Sequence, residues 1–86
     1  MKIGTVLKNT SVNEHHPLYL TVYTGQSNGK ATVIYPYSDG SGVNNGHYLL
    51  SDIGKDKSII PIGHIDLVKV LKDEINKIIK ENNYEN

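Results

Sequence analysis

Cysteine, tryptophan and phenylalanine are all absent from this chain of 86 residues. The lack of cysteine excludes disulfides, thiolate metal ligands and thiol nucleophiles. Without Phe and Trp, the aromatic area must come from six tyrosines, whose rings bury well but whose hydroxyls need hydrogen-bond partners. We therefore expect a core of Ile, Leu and Val, with several tyrosines half-exposed on one sheet face or around a groove.

Arginine is also absent, and so is any excess of charge of one sign, because nine lysines balance nine acidic residues. A nonspecific nucleic-acid binder usually carries a basic excess, since neutralisation of phosphates dominates its affinity. Arginine is the side chain that binds carboxylates and phosphates through two parallel hydrogen bonds. The composition therefore argues against a nonspecific nucleic-acid binder, although the lack of arginine also fits the codon bias of an AT-rich genome.

Long apolar runs are missing as well. No stretch is long enough to span a bilayer, and residues 1–5 lack the continuous apolar segment of a signal peptide. We therefore expect a soluble, cytoplasmic protein without a membrane partner. A chain of this length is too short for two cores, which predicts one domain over residues 1–81 and a frayed tail over residues 82–86.

Alternating and β-branched segments predict about five short strands. The clearest signal is an antiparallel hairpin, because the Asn28-Gly29 pair between two such segments tolerates the positive φ angles of tight turns. Pro61 confines the last strand to a sheet edge or a bulge. Residues 38–46 are rich in Gly, Ser and Asn and predict a mobile loop. The predicted strands are residues 2–8, 18–23, 30–37, 47–51 and 58–62.

Apolar residues at spacings of three and four predict one amphipathic C-terminal helix over residues 66–81. Asp66 is placed to cap its N-terminus. The fold class is therefore α+β, a small antiparallel, mostly β domain with one helix that covers one face or opening. The sheet is either curled, as an SH3-like or OB-like barrel, or flat. The apolar stripe consists of Leu67, Val68, Leu71, Ile75, Ile78 and Ile79.

Few residues suggest catalysis or metal binding. His47, His64 and Asp66 could form a site with two histidines and one carboxylate, but their spacing is not diagnostic and Asp66 has a role as a helix cap. No serine lies in a nucleophile-elbow motif, and the glycine-rich segment is not followed by a helix that could hold phosphate. We therefore expect neither an enzyme nor a cofactor.

The hairpin tyrosines are the main candidates for binding. Tyr19 and Tyr23 share one face of their strand, and Tyr35 and Tyr37 share a face of the next. Such pairs stabilise a sheet across its strands, but tyrosine is also enriched at protein interfaces. We predict that the tyrosines and the loop after them contact a partner. The predicted binding residues are Tyr19, Tyr23, Tyr35, Tyr37, Asp39, Asn44 and Asn45.

Three segments of the chain resemble segments of other small proteins. They are residues 2–9, the hairpin containing Tyr23-Thr24-Gly25, and residues 62–67, which lead into the helix. In composition and order of elements they resemble small uncharacterised proteins encoded by phages and prophages of low-GC Gram-positive bacteria. The resemblance implies an inhibitor that binds one host protein, as anti-CRISPR and other anti-defence proteins do, or a minor structural part. The resemblance does not assign a function to any particular residue.

The sequence thus supports one leading hypothesis and two alternatives. The first is a non-enzymatic protein-interaction module, a phage or prophage accessory protein that inhibits a host defence factor by occluding its surface. The second is a small barrel that binds nucleic acid or a nucleotide. The third is a self-associating structural subunit, and the sequence leaves the oligomeric state open.

Overall fold

The fold, given by a computed structural model that describes residues 1–82, is a five-stranded antiparallel sheet followed by one α-helix. The order of strands across the sheet is β4-β3-β2-β1-β5. The predicted α+β class is therefore confirmed. The strands are β1 Thr5–Asn9, β2 Leu20–Ser27, β3 Lys30–Pro36, β4 Val43–Leu49 and β5 Ile59–His64, and the helix is α1 Leu67–Asn82.

The sheet is open rather than closed. Strands β4 and β5 lie at opposite ends of the strand order, and no pairing between them exists within the described residues. A barrel is therefore only an approximate description of this sheet. Irregular pairing occurs at two places, between Tyr23 and Gly25 in β2 and between Val6 and Leu7 in β1.

The predicted hairpin is formed by β2 and β3. Asn28 and Gly29 connect the strands with φ angles of 53° and 75°. Two consecutive positive φ angles define the turn that matches the twist of antiparallel strands, and Asn-Gly is its preferred sequence. Ser27 and Lys30 close the turn as the first cross-strand pair.

The second half of the predicted loop is a strand. Residues 43–46 belong to β4, whose seven residues pair without interruption along β3 from Val43 opposite Pro36 to Leu49 opposite Lys30. The prediction of a loop over residues 38–46 was wrong for this part. Asn and Gly have low strand propensity, but the backbone hydrogen bonds to β3 override that local preference.

Pro61 lies in β5, which is an edge strand as predicted. It pairs opposite Leu7, next to the register shift between Val6 and Leu7. An edge strand leaves one side of the backbone without partners, so the missing N–H of proline costs the sheet little there.

One face of the sheet, here called the inner face, holds the core. Leu7 and Ala31 are fully buried, and Val33, Ile59 and Tyr23 nearly so. The segment after β4 closes this side, because partly buried hydrophobic side chains pack against the core from there and from the end of β4. These are Tyr48, Leu50 and Ile53.

The opposite face, here called the open face, also carries aliphatic side chains. Val6, Val22 and Ile34 lie opposite one another across β1, β2 and β3, and Ile60 of β5 lies opposite Lys8. Their side chains are half-buried, whereas most of the residues that alternate with them, among them Leu7, Tyr23 and Val33, are buried. The open face is therefore more accessible to solvent than the inner face.

Helix α1 does not cover this face. Its N-terminus is capped as predicted, since the Oδ1 atom of Asp66 accepts a hydrogen bond of 3.0 Å from the backbone N–H of Lys69. No residue of the helix is buried, and its contacts with the strands are sparse. The expectation that the helix covers a face or opening of the sheet is therefore not met. Within residues 1–82 no helix has the length and apolar character needed to cross a membrane.

The junction between β5 and α1 explains the position of the helix. The backbone N–H of Ile65 donates to the carbonyl oxygen of Gly4 at 2.8 Å, and the Nε2 atom of His64 lies 3.0 Å from the carbonyl oxygen of Ile3. Gly4 has a φ of 99°, and a β-carbon there would collide with the carbonyl oxygen of Ile65. The chain is thus fixed to its own N-terminal segment where it enters the helix.

The end of the helix differs slightly from the prediction. Asn82, predicted to begin the frayed tail, is the last helical residue, and its side-chain amide donates to the carbonyl oxygen of Ile78 at 2.9 Å. The rest of the predicted tail, residues 83–86, lies outside the described residues.

Candidate functional site: a tyrosine-lined groove

The four candidate tyrosines have different environments. Tyr23 is only 4% exposed and packs in the core, with its hydroxyl 3.2 Å from the Oε1 atom of Gln26. Tyr19 and Tyr35 are half-buried, and Tyr37 is 46% exposed. Tyr23 and Tyr35 alternate with the open-face residues, so they belong to the inner face. The tyrosine-bearing face is therefore the inner one, and Tyr37 is the most exposed of the four.

Tyr19 and Tyr37 nevertheless meet at the surface. They line an open groove of about 320 Å³ at the end of the sheet where β2 begins and β3 ends. We call it the Tyr19–Tyr37 groove. Its lining residues are Glu14, His15, His16, Pro17, Tyr19, Leu20, Pro36, Tyr37 and Ser38.

Tyr19 is held from several sides. Its carbonyl oxygen accepts a hydrogen bond of 2.8 Å from the backbone N–H of Asn9, which continues the pairing of β1 and β2 beyond the strand. The Nζ atom of Lys8 lies 5.6 Å from the centre of the Tyr19 ring, within the range of a cation–π interaction. The preceding residue, Leu18, accepts a hydrogen bond of 3.3 Å from the hydroxyl of Tyr48. The backbone on both sides of Tyr19 is therefore held by hydrogen bonds, and its ring lies next to a cation.

Two histidines form part of the same wall. The loop that contains them turns at Asn13, whose carbonyl oxygen accepts from the N–H of His16 and whose side-chain oxygen accepts from the N–H of His15. The Nδ1 atom of His16 accepts a hydrogen bond of 3.1 Å from the N–H of Leu18. This contact orients the His16 ring against its own turn.

The opposite wall is a tight turn that begins at Tyr37. The N–H of Tyr37 donates to the carbonyl oxygen of Gly42 at 2.9 Å, and its carbonyl oxygen accepts from Gly40 at 3.0 Å. Gly40 has a φ of 75°, which glycine adopts without strain. A β-carbon at Gly42 would lie 3.6 Å from the Tyr37 ring, so the ring rests against this glycine.

Asp39 lies within this turn and stabilises it. Hydrogen bonds from the Ser41 side chain and from the Ser41 backbone N–H, the latter 2.9 Å long, lower the pKa of the Asp39 carboxyl group below its ordinary value. The structure places Asp39 next to Ser38, a groove residue, but not in the lining itself. Its role in the described structure is to order the turn.

Asn44 and Asn45 do not line the groove. Both belong to β4, where Asn44 pairs with Tyr35 and Asn45 with Ile34. The Oδ1 atom of Asn44 accepts a hydrogen bond of 2.8 Å from the N–H of Asn45. These two predicted binding residues are therefore strand residues at a sheet edge rather than parts of a flexible loop.

The three residues considered for a metal site are not brought together. His47 lies on β4 and His64 on β5, the two outermost strands, which places them about 19 Å apart across the sheet. Asp66 uses its carboxylate as the helix cap. Within residues 1–82 no cluster of three or more His, Asp or Glu side chains could hold a metal ion.

Pro17, Pro36, His15 and His16 are groove residues that the sequence did not identify as such. The positions of the two prolines could have revealed the groove. One lies just before β2 and the other at the end of β3, and the hairpin register brings these two strand ends together. His15 and His16 then follow, because they precede Pro17 in the same turn.

No protein-family model, no curated protein and no solved structure is significantly similar to this chain. Conclusions about its function therefore rest on its own geometry. Two tyrosine rings, two prolines and Leu20 form the apolar part of the groove, and Glu14, Ser38 and the histidines form its polar part. Such a lining binds by contact area and a few hydrogen bonds.

Proposed function

We propose that this chain is a non-enzymatic protein-interaction module that binds a segment of a partner protein in the Tyr19–Tyr37 groove. The observation that supports this most directly is that Tyr19 and Tyr37, from the ends of neighbouring strands, face one open groove while Tyr23 is used for the core. Tyrosine offers a large contact area with little loss of side-chain entropy on binding.

The preorganised walls support the same conclusion. Tyr19 is fixed by Lys8 and by β1, and Tyr37 is fixed by the turn through Gly40 and Gly42. Binding to rings that are already ordered avoids much of the entropic cost of association. An aromatic and proline-lined groove suits an extended segment with aliphatic or proline side chains.

The size of the groove favours part of a protein over an enclosed small molecule. Its volume of about 320 Å³ is near the lower end of the roughly 300–1,000 Å³ typical of ligand pockets, and it is open to solvent. A few side chains of a larger partner would fill it, and the surrounding surface would provide the remaining contact area.

The proposed mode of action is occlusion. A chain that holds a segment of a host protein in this groove would block that segment from its normal partners. This is the action expected of a phage or prophage accessory protein that inhibits a host factor, the class to which the resemblance of the sequence points.

The experiment is an affinity capture from the lysate of a low-GC Gram-positive host, with tagged wild type compared with a Tyr19→Ala/Tyr37→Ala variant. We expect one host protein to be recovered by wild type and lost with the double variant, which keeps its fold because neither ring is in the core. Leu49→Ala is the matched control, because Leu49 is similarly exposed but lies at the far end of β4. Recovery of the same protein by the double variant would refute the proposed site.

A nucleic-acid ligand is the other outcome to test. Fluorescence polarisation with single-stranded DNA and RNA at low salt would detect it. Binding that weakens steeply with salt and depends on Lys8 would replace the protein-binding proposal, since phosphate contacts release counterions. We expect no such binding.

A further inference from the structure

Two apolar surfaces remain partly or largely exposed within residues 1–82. One is the stripe of α1, where Val68, Leu71, Ile75 and Ile78 are 48 to 64% exposed. The other is the open face of the sheet, formed by Val6, Val22, Ile34 and Ile60. Neither lines the Tyr19–Tyr37 groove.

A helix of this kind needs a partner for its stability. Isolated helices of about 12–15 residues are marginal in water, and most helical stability in proteins comes from packing of the apolar face. Helix α1 has 16 residues and no buried side chain. Its own cap at Asp66 and its ion pair of 2.9 Å between Lys69 and Asp73 are exposed and stabilise it only slightly.

The helix is held away from its own sheet. Only Ile65 and Asp66 separate β5 from α1, and Ile65 is bound to Gly4. The molecule is 50 Å long but only 26 and 22 Å in the other directions. A helix of 16 residues is about 24 Å long, so the helix accounts for much of this length as an extended arm.

We propose that two copies of this chain exchange their helices, so that the apolar stripe of each α1 covers the open face of the other copy's sheet. The dimensions agree with this arrangement. The distance from β4 to β5 across the sheet is about 19 Å, which a helix about 24 Å long can cross completely. The interface is self-complementary, as a twofold symmetric dimer requires.

The surface area that a dimer would bury favours a reciprocal exchange over simple pairing of the two helices. Half the surface of a cylinder about 24 Å long and about 10 Å wide is roughly 400 Å². In the exchange each copy gives one helix and receives another, which buries roughly 800 Å² per copy, the size of a standard stable interface. Pairing of the two helices alone would bury about half of that area.

Charge is complementary at the same contact. The five strands contain no Asp or Glu, and their two lysines, Lys8 and Lys30, both lie on the side of the open face. At 100° per residue, Glu74 and Glu81 follow one border of the helical stripe. A helix laid on the partner's sheet can therefore bring these carboxylates towards the lysines. Lys72 lies on the other border, so carboxylates outnumber lysines along the stripe by two to one.

The oligomeric state gives the first test. Sedimentation velocity from micromolar to several hundred micromolar concentration should show a species of twice the chain mass of 9.5 kDa. Leu71→Glu should raise the dimer dissociation constant by about a hundredfold, because it would bury an unpaired carboxylate. Val70→Glu is the matched control, since Val70 is 49% exposed on the same helix but outside the stripe. A monomer at every concentration would overturn the proposal.

A second pair of variants tests whether the sheet is the docking site. Val22→Thr/Ile34→Thr keeps β-branched residues, and so the strands, while it removes apolar area from the open face. This variant should weaken the dimer by about tenfold or more, as loss of buried apolar area predicts. An unchanged dissociation constant with Val22→Thr/Ile34→Thr, together with loss of the dimer in Leu71→Glu, would indicate pairing between helices and would refute the exchange.

Disulfide crosslinking tests the contact directly. Because the sequence has no cysteine, any disulfide must form between the cysteines that are introduced. A Leu71→Cys variant mixed with a Val22→Cys variant should form a disulfide between the two chains, and Leu71→Cys alone should not. A disulfide formed only between two Leu71→Cys chains would contradict the proposal. The Tyr19→Ala/Tyr37→Ala variant should dimerise normally. The experiments can therefore refute the proposed binding site in the groove and the proposed helix exchange independently of each other.

Discussion

Strand β1 and helix α1 contain the same kinds of aliphatic side chain in very different surroundings. In β1, Leu7 is completely buried, whereas in α1 the equally apolar Leu71 is 62% exposed. Both patterns are regular, with a period of two in the strand and spacings of three and four in the helix. The comparison shows that an apolar pattern identifies an element and its apolar side, but does not identify what that side will pack against.

Truncating one leucine in each region measures how much each region contributes to stability. Leu7→Ala should lower the free energy of unfolding by about 2–5 kcal/mol, because it leaves a cavity in the core. Leu71→Ala, measured at a concentration low enough for the monomer, should change it by less than about 0.5 kcal/mol. Urea denaturation followed by tyrosine fluorescence gives both values. Equal losses for the two variants would mean that the helix packs on its own sheet after all.

The second prediction concerns the junction that separates the two regions. Gly4→Ala should destabilise the protein by about 1–3 kcal/mol, because Gly4 has a positive φ and its β-carbon would collide with Ile65. Thermal unfolding by circular dichroism measures the effect. Gly63→Ala is the matched control, since Gly63 lies at the same junction with open space around its β-carbon and no positive φ. Similar melting temperatures for the two variants would contradict the proposed anchoring.

Helix α1 should unfold independently of the sheet. Asp66→Ala removes the cap and should destabilise the helix by about 0.5–2 kcal/mol. Because α1 contributes no core residue, the loss should appear as lower helical signal at 222 nm in dilute solution, while the unfolding midpoint of the sheet stays the same. Asp66→Asn, which keeps the capping oxygen, should retain the signal. A shift of the sheet midpoint in Asp66→Ala would show that the two regions unfold together.

The smallest expected effect lies in the turn beside the groove. Ser41→Ala removes the side-chain hydrogen bond that contributes most to the lowered pKa of Asp39, so this pKa should rise towards its ordinary value. Since the folded-state pKa is depressed, the ionised carboxylate contributes stability above its ordinary pKa, and this contribution is lost as the pH falls through the lowered value. A carbon-13 NMR titration of the Asp39 carboxyl group measures the change. An unchanged titration would show that Ser41 does not donate to it in solution.

Much of the fold follows from local patterns. The hairpin could be predicted because Asn28-Gly29 has the backbone freedom that its turn requires, and the helix because its stripe and its cap at Asp66 are local features. The edge position of β5 followed from the missing N–H of Pro61. In each case the chemistry of one or two residues excludes the other conformations.

The remaining features depend on contacts between distant residues. Val43–Leu49 forms a strand because β3 offers it hydrogen bonds, although its Asn and Gly residues favour a loop. The alternation in β2 gives two faces, but only the segment after β4 decides that Tyr23 rather than Val22 is buried. The groove likewise requires the strand register, because Pro17 and Pro36 are far apart in the sequence.

The two edges of the sheet have different consequences for aggregation. At the β5 edge, Pro61 has no N–H to offer, and the ladder beside it is irregular, so an added strand cannot pair continuously there. The β4 edge has seven residues in unbroken register and no proline. If the protein is concentrated or partly unfolded, growth of the sheet into fibrils would therefore start along Val43–Leu49, and a lysine or proline introduced on that strand would act as a gatekeeper.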